Sequence, residues 1–477
     1  MLSALENATI AYTALRAVSR TKGEPMSKFN AKELSDFARK YGFHYDGVNP
    51  QELVKEVLTE MEKGLEGSAS SLPMIPSYIT PVTHIPPGKT VLALDAGGTN
   101  LRCSLVHFNE HAQAVAQGTK KKPMPGTTGT LNAKEFFSSI AEMCLPLINE
   151  TKIEGIGFTF SYPMEINPDT DGTLLSFSKE VDAPDVIGKS IGKGLREALA
   201  EKGCTYDGPI VMLNDTVSTL LSGIVTISQD GEEKKSNVDF KVKGGPMIGF
   251  ILGTGFNTAY PETNIPKIGF NSPSSPQIVV CETGGFNLRR RGQLDKEFDE
   301  TTKNPNSYFL EKATAGAYLG PLTLHILKQA IKDKVLQFKK SDELLNFPHL
   351  ETRFLNEFTH APLAAQGPLG SLFAPDETDA LAAVQYLTSI VTERGALFSA
   401  AVLAATVLKA DAGYEPYSPV RIAVEGTTYM IYKGMRRSLE SYLHQILFAE
   451  KPRPYVVSPV EQASLFGAAV AALSKKN

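Results

Sequence analysis

Apolar and polar positions follow the same order in two regions of the chain. In residues 91–103, VLALDAGGTNLRC, an apolar run ends in an acidic residue, two glycines and small polar residues before apolar positions resume. Residues 247–260, MIGFILGTGFNTAY, repeat this order around a Gly-Thr-Gly turn. Because glycine has no Cβ, the backbone N–H groups of such turns can approach an anion. Each region alone could be an ordinary hairpin, but the pair favours a duplicated clamp for phosphate groups.

Elsewhere the apolar residues recur at helical spacing or in short strand-like runs. Helical spacing is found over residues 31–65, 133–150, 190–202, 379–410 (long Ala-rich helices) and 463–473. Strand-like runs cover residues 153–160, 209–214 and 420–425. The alternation predicts an α/β fold with a largely parallel sheet core and crossover helices. We expect the Ser- and Pro-rich residues 68–88 to be a linker and the charged insert 229–245 to be a solvated loop.

Composition and motif spacing exclude several classes of function. The 477 residues allow two to three domains, and 48 basic against 52 acidic residues give a net charge of −4. No basic block is sustained, so a nucleic-acid partner is not expected. Neither glycine turn is followed by the Lys-Ser/Thr of a mononucleotide P-loop, and neither has the G-x-G-x-x-G spacing of a dinucleotide site.

Cysteine usage and hydropathy point to a protein of a reducing compartment. The four cysteines lie far apart without a C-x-x-C pair, which argues against a zinc site and a disulfide framework. We therefore expect a cytoplasmic location. No apolar run approaches the roughly 20 residues of a membrane span, so none is expected. Residues 1–22 are interpreted as an amphipathic helix rather than a transit peptide.

Between the two hairpins, residues 211–221 read VMLNDTVSTLL, with Asp215 where a buried strand passes into a helix. Two interpretations stay open for this carboxylate. It could cap the helix by accepting hydrogen bonds from first-turn N–H groups. It could also act as a general base for an attacking hydroxyl, since it is flanked by the two candidate phosphate turns.

Eight segments in one order resemble the hexokinase family, the eukaryotic-type group that includes glucokinases. They are LDAGGTNLR, GFTFSYP, SFSKE, LNDTVSTL, GTGFN, CETGGF, FDETTKNPNSYFLEK and VEGT. The resemblance implies a two-domain α/β fold of the actin and sugar-kinase type with an interdomain cleft. It further implies ATP-dependent phosphorylation of a hexose, with glucose foremost, at the 6-hydroxyl. The implied domains are an N-terminal helical segment (1–87) packing on the large domain, a small domain (88–213 with 456–477) and a large domain (214–455).

The same resemblance assigns roles residue by residue. Asp215 would be the catalytic base, and Lys179 would be the cation beside the transferred phosphoryl group. The hexose would be held by Ser161, Ser178, Lys179, Asn214, Asp215, Asn257, Glu282 and Glu311. The nucleotide would be held by Asp95, Gly97, Gly98, Thr99, Asn100, Arg102, Gly253, Thr254, Gly255, Gly426 and Thr427. Asp95 would hold Mg²⁺, which usually keeps several waters.

Departures from the family pattern fall on both sides of the implied site. Phe177 stands where the family has Trp before Ser178, and the chain has no Trp. Leu465 and Phe466 occupy the region of a glycine-flanked lysine, where they are expected to pack against the purine and discriminate bases weakly. The expected partners are a hexose and a nucleotide, with no nucleic acid and no membrane span, in a monomer or homodimer. The alternative is a sugar-binding regulator of the same fold that has lost phosphoryl transfer.

Overall fold

The computed structural model describes residues 29–98, 100–177, 181–227, 245–271, 276–449 and 451–474. The helix expected over residues 1–22 lies outside this part of the chain, as does nearly all of the charged insert. The strands are β1 (Ile75–Pro76), β2 (Lys89–Gly97), β3 (Asn100–Phe108), β4 (Gln113–Pro123), β5 (Ile156–Phe160), β6 (Met164–Ile166), β7 (Gly172–Leu174), β8 (Ile210–Leu213), β9 (Thr226–Ile227), β10 (Met247–Leu252), β11 (Phe256–Glu262), β12 (Gln277–Val280), β13 (Val420–Glu425) and β14 (Tyr455–Pro459).

The helices lie between and around these strands. They are α1 (Ala31–Lys40), α2 (Pro50–Glu66), α3 (Ala133–Glu150), α4 (Ile191–Glu201), α5 (Asp215–Ser222), α6 (Gln293–Glu300), α7 (Phe309–Thr314), α8 (Gly316–Lys332), α9 (Ser341–Leu345), α10 (Thr352–His360), α11 (Thr378–Lys409), α12 (Thr427–Ile431), α13 (Met435–Leu447) and α14 (Ala463–Leu473). The helical spacing over 31–65 corresponds to α1 and α2, and the long Ala-rich helices expected over 379–410 are the single helix α11.

Two six-stranded sheets organise the described residues. The first runs in the order β8-β5-β2-β3-β4-β9, and the second in the order β1-β12-β11-β10-β13-β14. In the first sheet β8, β5 and β2 are parallel, but β2, β3 and β4 are antiparallel. In the second, β10, β13 and β14 are parallel and the other pairs antiparallel. The sheets are thus mixed rather than largely parallel, because each contains one of the predicted hairpins.

The predicted linker also contributes to a sheet. Residues 68–88 were expected to lack regular structure, yet β1 within them pairs with β12 at the edge of the second sheet. A strand of two residues is too short to show an alternating pattern of apolar and polar positions, so it can be recognised only from its pairing with β12.

Two helices fill the space between the sheets. Helices α5 and α14 pack on each other, α14 against β2 and β5 and α5 against β10. A Cβ on Gly467 of α14 would lie 2.1 Å from the carbonyl oxygen of Ser218, so a glycine is required at this crossing. The buried residues of both helices form one cluster with residues of both sheets. The strand that leads into α5 is therefore held rigidly from both sides.

The outer faces of the sheets are covered by other helices. Helices α3 and α4 cover the far side of the first sheet. Helices α1, α2 and α11 share a buried core with the second sheet. Because both faces of β2 are buried, its sequence is continuously apolar instead of alternating. The predicted domain boundaries at 87, 213 and 455 stay predictions.

One helix in the described part of the chain, α11, is long and apolar enough to cross a membrane by length and composition. Of its most apolar 18-residue window, 94% is buried inside the fold. Its apolar character is therefore accounted for by its place in the core. The four cysteines are free, and Cys103 Sγ and Cys144 Sγ lie 4.0 Å apart.

Candidate active site

Three parallel strands of the first sheet end at the same edge and carry predicted residues there. Asp95 of β2 is in register with Thr159 of β5, which is in register with Leu213 of β8. Ser161 and Asn214 follow the ends of β5 and β8. In open α/β sheets, ligands bind in the crevice outside the carboxyl ends of the strands. The structure therefore brings these predicted residues together at the edge where a ligand would bind.

Asp215 is the first residue of α5, and its neighbour provides the cap. Asn214 Oδ1 accepts a hydrogen bond from the backbone N–H of Thr216 at 2.8 Å, so the interpretation of Asp215 as the capping residue is wrong. Thr216 Oγ1 donates to Asp215 Oδ1 at 3.2 Å, and Thr219 Oγ1 donates to the Asp215 carbonyl oxygen at 3.0 Å. The cap of α5 is therefore supplied by Asn214 and not by the carboxylate of Asp215.

The second sheet contributes a carboxylate whose amide partner has a fixed orientation. Asn257 Oδ1 accepts backbone N–H groups from Thr258 at 2.8 Å and from Thr283 at 3.3 Å. Its Nδ2 must therefore point the other way, and it donates to Glu282 Oε1 at 2.9 Å. The backbone of Glu282, two residues after the end of β12, is left-handed (φ 55°), an uncommon conformation for a residue with a side chain. Asn257 and Glu282 thus form one preset group of donors and acceptors.

Glu311 is positioned by its own helix, α7, and by the hairpin of β10 and β11. Its Oε2 accepts the backbone N–H of Phe256 at 3.1 Å. The adjacent Lys312 is buried, forms an ion pair with Asp299 and donates to the carbonyl oxygen of Asn304 at 2.7 Å. Removing one partner of a buried ion pair leaves an uncompensated charge, so this anchor fixes α7 strongly.

Electrostatics link the glutamates of the second sheet to Asp215. Burial, followed by the negative charge of Asp215, raises the pKa of Glu282 to about 7. Burial raises the pKa of Glu311 as well, with Asp215 adding to the effect. Glu425, at the end of β13, has its pKa raised to about 7 by burial and by the charges of Asp215 and Asp95. These three carboxyl groups therefore lie close enough to Asp215 to feel its charge, and such clusters of perturbed groups are typical of functional sites.

The turn between β2 and β3, residues 97–100, is called here the first glycine turn. Gly98 has a left-handed backbone (φ 63°), and the ladder closes with Gly97 opposite Asn100. A Cβ on Gly97 would lie 3.2 Å from Asp95 Oδ1 and 4.0 Å from Ser161 Oγ. The turn therefore lies directly against the predicted metal and sugar residues.

Residues 253–255, between β10 and β11, form the second glycine turn. The carbonyl oxygen of Gly253 accepts hydrogen bonds at 2.8 Å from Gly316 N–H and from Thr428 Oγ1. Gly426 approaches from β13 with φ 129°, and a Cβ on Gly253 would lie 3.2 Å from its Cα. Predicted nucleotide residues from two distant segments, Gly253 and Gly426, thus meet in one structure.

A groove of about 350 Å³ opens beside the second glycine turn. Its lining includes Thr254, Ala317, His349, Thr352, Asn356 and Thr427. Of these, sequence reasoning assigned Thr254 and Thr427 to the nucleotide and missed the residues of α10 and the segment before it. Those polar residues lie in no recognised motif, so no sequence signal identified them.

The expectation for Leu465 and Phe466 is wrong. Both side chains are buried, 1% exposed, in the core between the two sheets. They belong to α14, whose apolar face packs on α5, and they do not line the groove. Because most of the surface of α14 is buried in the core, its apolar side chains cannot also contact a nucleotide.

The residues at the first glycine turn fit a magnesium ion. Asp95 is 2% exposed, and its Oδ2 lies 2.9 Å from Arg102 Nη2. In the described part of the chain, no group of three or more His, Cys, Asp or Glu forms a metal cage. Mg²⁺ is usually held by one or two carboxylates together with substrate phosphates, and a single buried carboxylate beside the first glycine turn fits that pattern.

Three predicted residues lie outside the described residues. They are Thr99, Ser178 and Lys179. Their roles at the phosphate turn, at the hexose and at the transferred phosphoryl group stay predictions.

Family models described as hexokinase match residues 33–225 and 247–474. The chain belongs to the hexokinase family. It is a sugar-phosphorylating kinase, and the family prediction made from the eight motifs is confirmed. The two matched regions also contain the two glycine turns, one each, at residues 97–100 and 253–255.

Individual relatives of this hexokinase-family chain extend over most of its length. Hexokinase-2 of Candida albicans is 29% identical over 454 residues, 89% of this chain and 88% of that protein. Hexokinase-1 of Saccharomyces cerevisiae is 29% identical over 467 residues, 91% of this chain and 90% of that protein. A solved hexokinase from Schistosoma mansoni, complexed with glucose, has a TM-score of 0.72 at 24% identity, covering 93% of this chain and 99% of that one. This likeness confirms the two-domain α/β fold of the actin and sugar-kinase type.

Proposed function

We propose that this kinase transfers the terminal phosphoryl group of Mg·ATP to the 6-hydroxyl of a hexose, with glucose as its foremost substrate. The products are a hexose 6-phosphate and ADP. The observation that carries the proposal is that Asp215, the first residue of α5, interacts with Glu282, which is bonded to Asn257, and with Glu311, which lies against the second glycine turn. The protein is expected to work in the cytoplasm as a monomer or homodimer.

Asp215 is the base in this proposal. As the hexose oxygen forms a bond to phosphorus and the bond to the ADP oxygen breaks, the hydroxyl proton passes to the Asp215 carboxylate. The hydrogen bond from Thr216 Oγ1 orients that carboxylate, and the N-terminal end of α5 favours its ionised form. The proton leaves to solvent once the product departs.

Hexose hydroxyls are recognised by groups with preset orientation. Glu282 is already bonded to Asn257 through Oε1, and Glu311 to the backbone of Phe256 through Oε2. The remaining acceptors and the second Asn257 N–H would pair with particular hydroxyls, together with Ser161. A site built in this way rejects analogues that lack one hydroxyl, because a buried polar group is then left unpaired.

The phosphates are held by the two glycine turns in this proposal. Their backbone N–H groups would bind phosphate oxygens, with Asp95 holding Mg²⁺ and Arg102 beside it. The bound ion would neutralise charge on the phosphate oxygens. The predicted cation Lys179 would add to that neutralisation.

A coupled assay of ADP release over a panel of hexoses, with and without Mg²⁺, tests the function. We expect release that requires both a hexose and Mg²⁺, with glucose giving the largest kcat/KM. Binding of hexose by calorimetry without ADP release would instead identify a sugar-binding regulator. ADP release from a non-sugar acceptor alone would contradict both interpretations.

A further inference from the structure

Tyr162 connects the hexose side of the cleft to the first glycine turn. It directly follows Ser161, is 3% exposed, and its hydroxyl donates to the carbonyl oxygen of Gly98 at 2.6 Å. The backbone N–H of Ser161 donates to the carbonyl oxygen of Ala96 at 3.1 Å. Two hydrogen bonds from consecutive residues therefore hold the carbonyl oxygens on either side of Gly97, where β2 passes into the turn.

The ring of Tyr162 is fixed by aromatic neighbours. Its centroid lies 4.9 Å from that of Phe160 and 5.2 Å from that of Phe177, the residue that precedes the predicted sugar residue Ser178. Edge and tilted ring packing at these distances is favourable and directional. Burial raises the pKa of Tyr162 to about 12, so the hydroxyl keeps its proton at neutral pH and can donate.

We propose that Tyr162 is a positioning residue that couples hexose binding at Ser161 to the geometry of the first glycine turn, and so to nucleotide affinity. The inference rests on the proposed function of these two sites. A hexose that binds Ser161 acts on the backbone that leads into Tyr162, and the Tyr162 hydroxyl holds the Gly98 carbonyl oxygen in its orientation. Phosphate binding by backbone N–H groups depends on that orientation, since the donors must point into the site.

The test variant is Tyr162→Phe, which removes one hydroxyl and keeps the ring. Binding of a non-hydrolysable ATP analogue with Mg²⁺ is measured by calorimetry, with and without saturating glucose. In the wild type we expect glucose to tighten nucleotide binding; in the variant this ratio should fall at least threefold. The KM for ATP should rise about fivefold, whereas the Kd for glucose measured without nucleotide should change less than twofold.

Tyr206→Phe is the matched control. Tyr206 is a buried tyrosine of the same core, its hydroxyl donates to the backbone carbonyl of Pro209 at 3.1 Å, and its pKa is also raised to about 12. Losing this hydrogen bond should lower the melting temperature about as much as Tyr162→Phe does. It should leave the glucose-dependent ratio at the wild-type value, because Tyr206 does not contact the glycine turn.

The outcomes separate the inference from the proposed function. A wild type without hexose-dependent ADP release contradicts the function, whereas a normal wild type and an unchanged Tyr162→Phe ratio contradict only the inference. A wild-type ratio of one, or an equal loss in Tyr206→Phe, also overturns it. If Tyr162→Phe does not fold, Phe177→Leu keeps the hydroxyl but loosens the ring. Phe177→Leu should lower the glucose-dependent ratio by less than Tyr162→Phe would. An unchanged ratio in Phe177→Leu would contradict the inference.

Discussion

Asp215 shares its surroundings with Glu282, Glu311 and Glu425, and each of these glutamates has a raised pKa. Because Asn214 caps α5, the carboxylate of Asp215 is not consumed by the helix end. A carboxylate surrounded by others is costly to keep in an empty site. This cost is explained if Asp215 is needed as a proton acceptor and the glutamates are needed to accept hydrogen bonds from sugar hydroxyl groups.

Asp215→Asn should lower kcat by at least about 10²-fold while hexose affinity stays within a few fold. The amide keeps the shape of the side chain but cannot take a proton. Steady-state kinetics and glucose calorimetry measure the two effects. Asp376→Asn makes the same change in an exposed ion pair with Lys339 and should leave both values unchanged. If Asp215→Asn keeps a kcat near that of the wild type, Asp215 is not the catalytic base.

Glucose affinity should depend on pH through Glu282. Its pKa is raised to about 7, so the side chain is neutral below that pH and ionised above it. Since hydroxyl groups donate better to a carboxylate than to a carboxylic acid, the Kd for glucose should rise up to tenfold per pH unit below about 7. Calorimetry without nucleotide between pH 5.5 and 8.5, a range of about three units around this value, measures it.

Two glutamine variants assign the titration. Glu282→Gln should bind glucose more weakly and show a flat profile over the same range. Glu425, whose pKa is also raised to about 7, lies at the end of β13 toward Asp95, so Glu425→Gln should keep the slope. If Glu425→Gln flattens the profile and Glu282→Gln does not, the assignment is reversed.

At the scale of elements, the nucleotide side depends on a close approach between β10 and the turn after β13. A Cβ on Gly426 would lie 2.2 Å from the carbonyl oxygen of Leu252 and 2.6 Å from the backbone nitrogen of Gly253, at φ 129°. Neither the backbone angle nor the space admits another residue. The second glycine turn therefore keeps its shape only while Gly426 is present.

Gly426→Ala should raise the KM for ATP at least about tenfold, because the added methyl group displaces the second glycine turn. Gly203→Ala is the matched control: its φ is 83°, but nothing lies within 4 Å of the added Cβ. It should cost only the left-handed strain of about 1–2 kcal/mol, seen in the melting temperature, without a kinetic effect. Equal kinetic losses in both variants would show that backbone strain alone is responsible.

Nucleotide selectivity should be weak, although for a different reason than the sequence suggested. Several polar side chains of the groove are already used by the protein. Thr352 Oγ1 accepts Gly320 N–H at 2.8 Å, Asn356 Oδ1 accepts Lys433 N–H at 2.9 Å, and Thr428 Oγ1 donates to Gly253. Atoms that already form hydrogen bonds within the protein are less able to form the hydrogen bonds that distinguish adenine from guanine. The ion pair between Arg353 and Glu351 is exposed and therefore adaptable.

We therefore expect kcat/KM for ATP and GTP to differ by less than about 10²-fold, a gap of under roughly 3 kcal/mol. Both donors are measured against one saturating hexose. A larger preference for ATP would show that the groove reads the base, and His349→Ala would then test the imidazole that lines it. An unchanged preference in that variant would place base recognition elsewhere.

At the scale of the molecule, local signals predicted much of the fold. Helices α3 and α14 and strand β13 begin and end where the apolar pattern predicts. For α3 the start is written locally, since Asn132 and Glu135 form a reciprocal capping box. Both hairpins followed in the same way from their glycine turns. The candidate site residues were predicted by the order of motifs, not by composition or period.

What local signals could not supply were contacts between distant segments. Strand β1 exists because β12 offers an edge, and the burial of Leu465 and Phe466 depends on α5 lying beside α14. The groove residues of α10 face the site only because helices α8 and α10 pack together. Tertiary packing decides these placements, and a single sequence carries little trace of it.

The whole molecule should close when it binds a hexose. Ser161 directly follows β5 of the first sheet, whereas Asn257, Glu282 and Glu311 are held by the second sheet and the helix beside it. In an empty cleft, the negative charges of Asp215 and the glutamates oppose approach of the two sides. A ligand that contacts both sides has higher affinity for the closed arrangement and must shift the population toward it.

Small-angle scattering with and without saturating glucose measures this closure as a decrease in radius of gyration. L-glucose at the same concentration gives the same solvent contrast without the matching stereochemistry, and it should leave the profile unchanged. Glu282→Gln, measured at a glucose concentration that saturates it, should still close, because Ser161 and Glu311 continue to bridge the cleft. A scattering profile unchanged by glucose, with saturation shown by calorimetry, would mean that the two sides are already in their bound arrangement. Hexose would then bind without domain movement, and domain closure could not explain how water is excluded from the phosphoryl group.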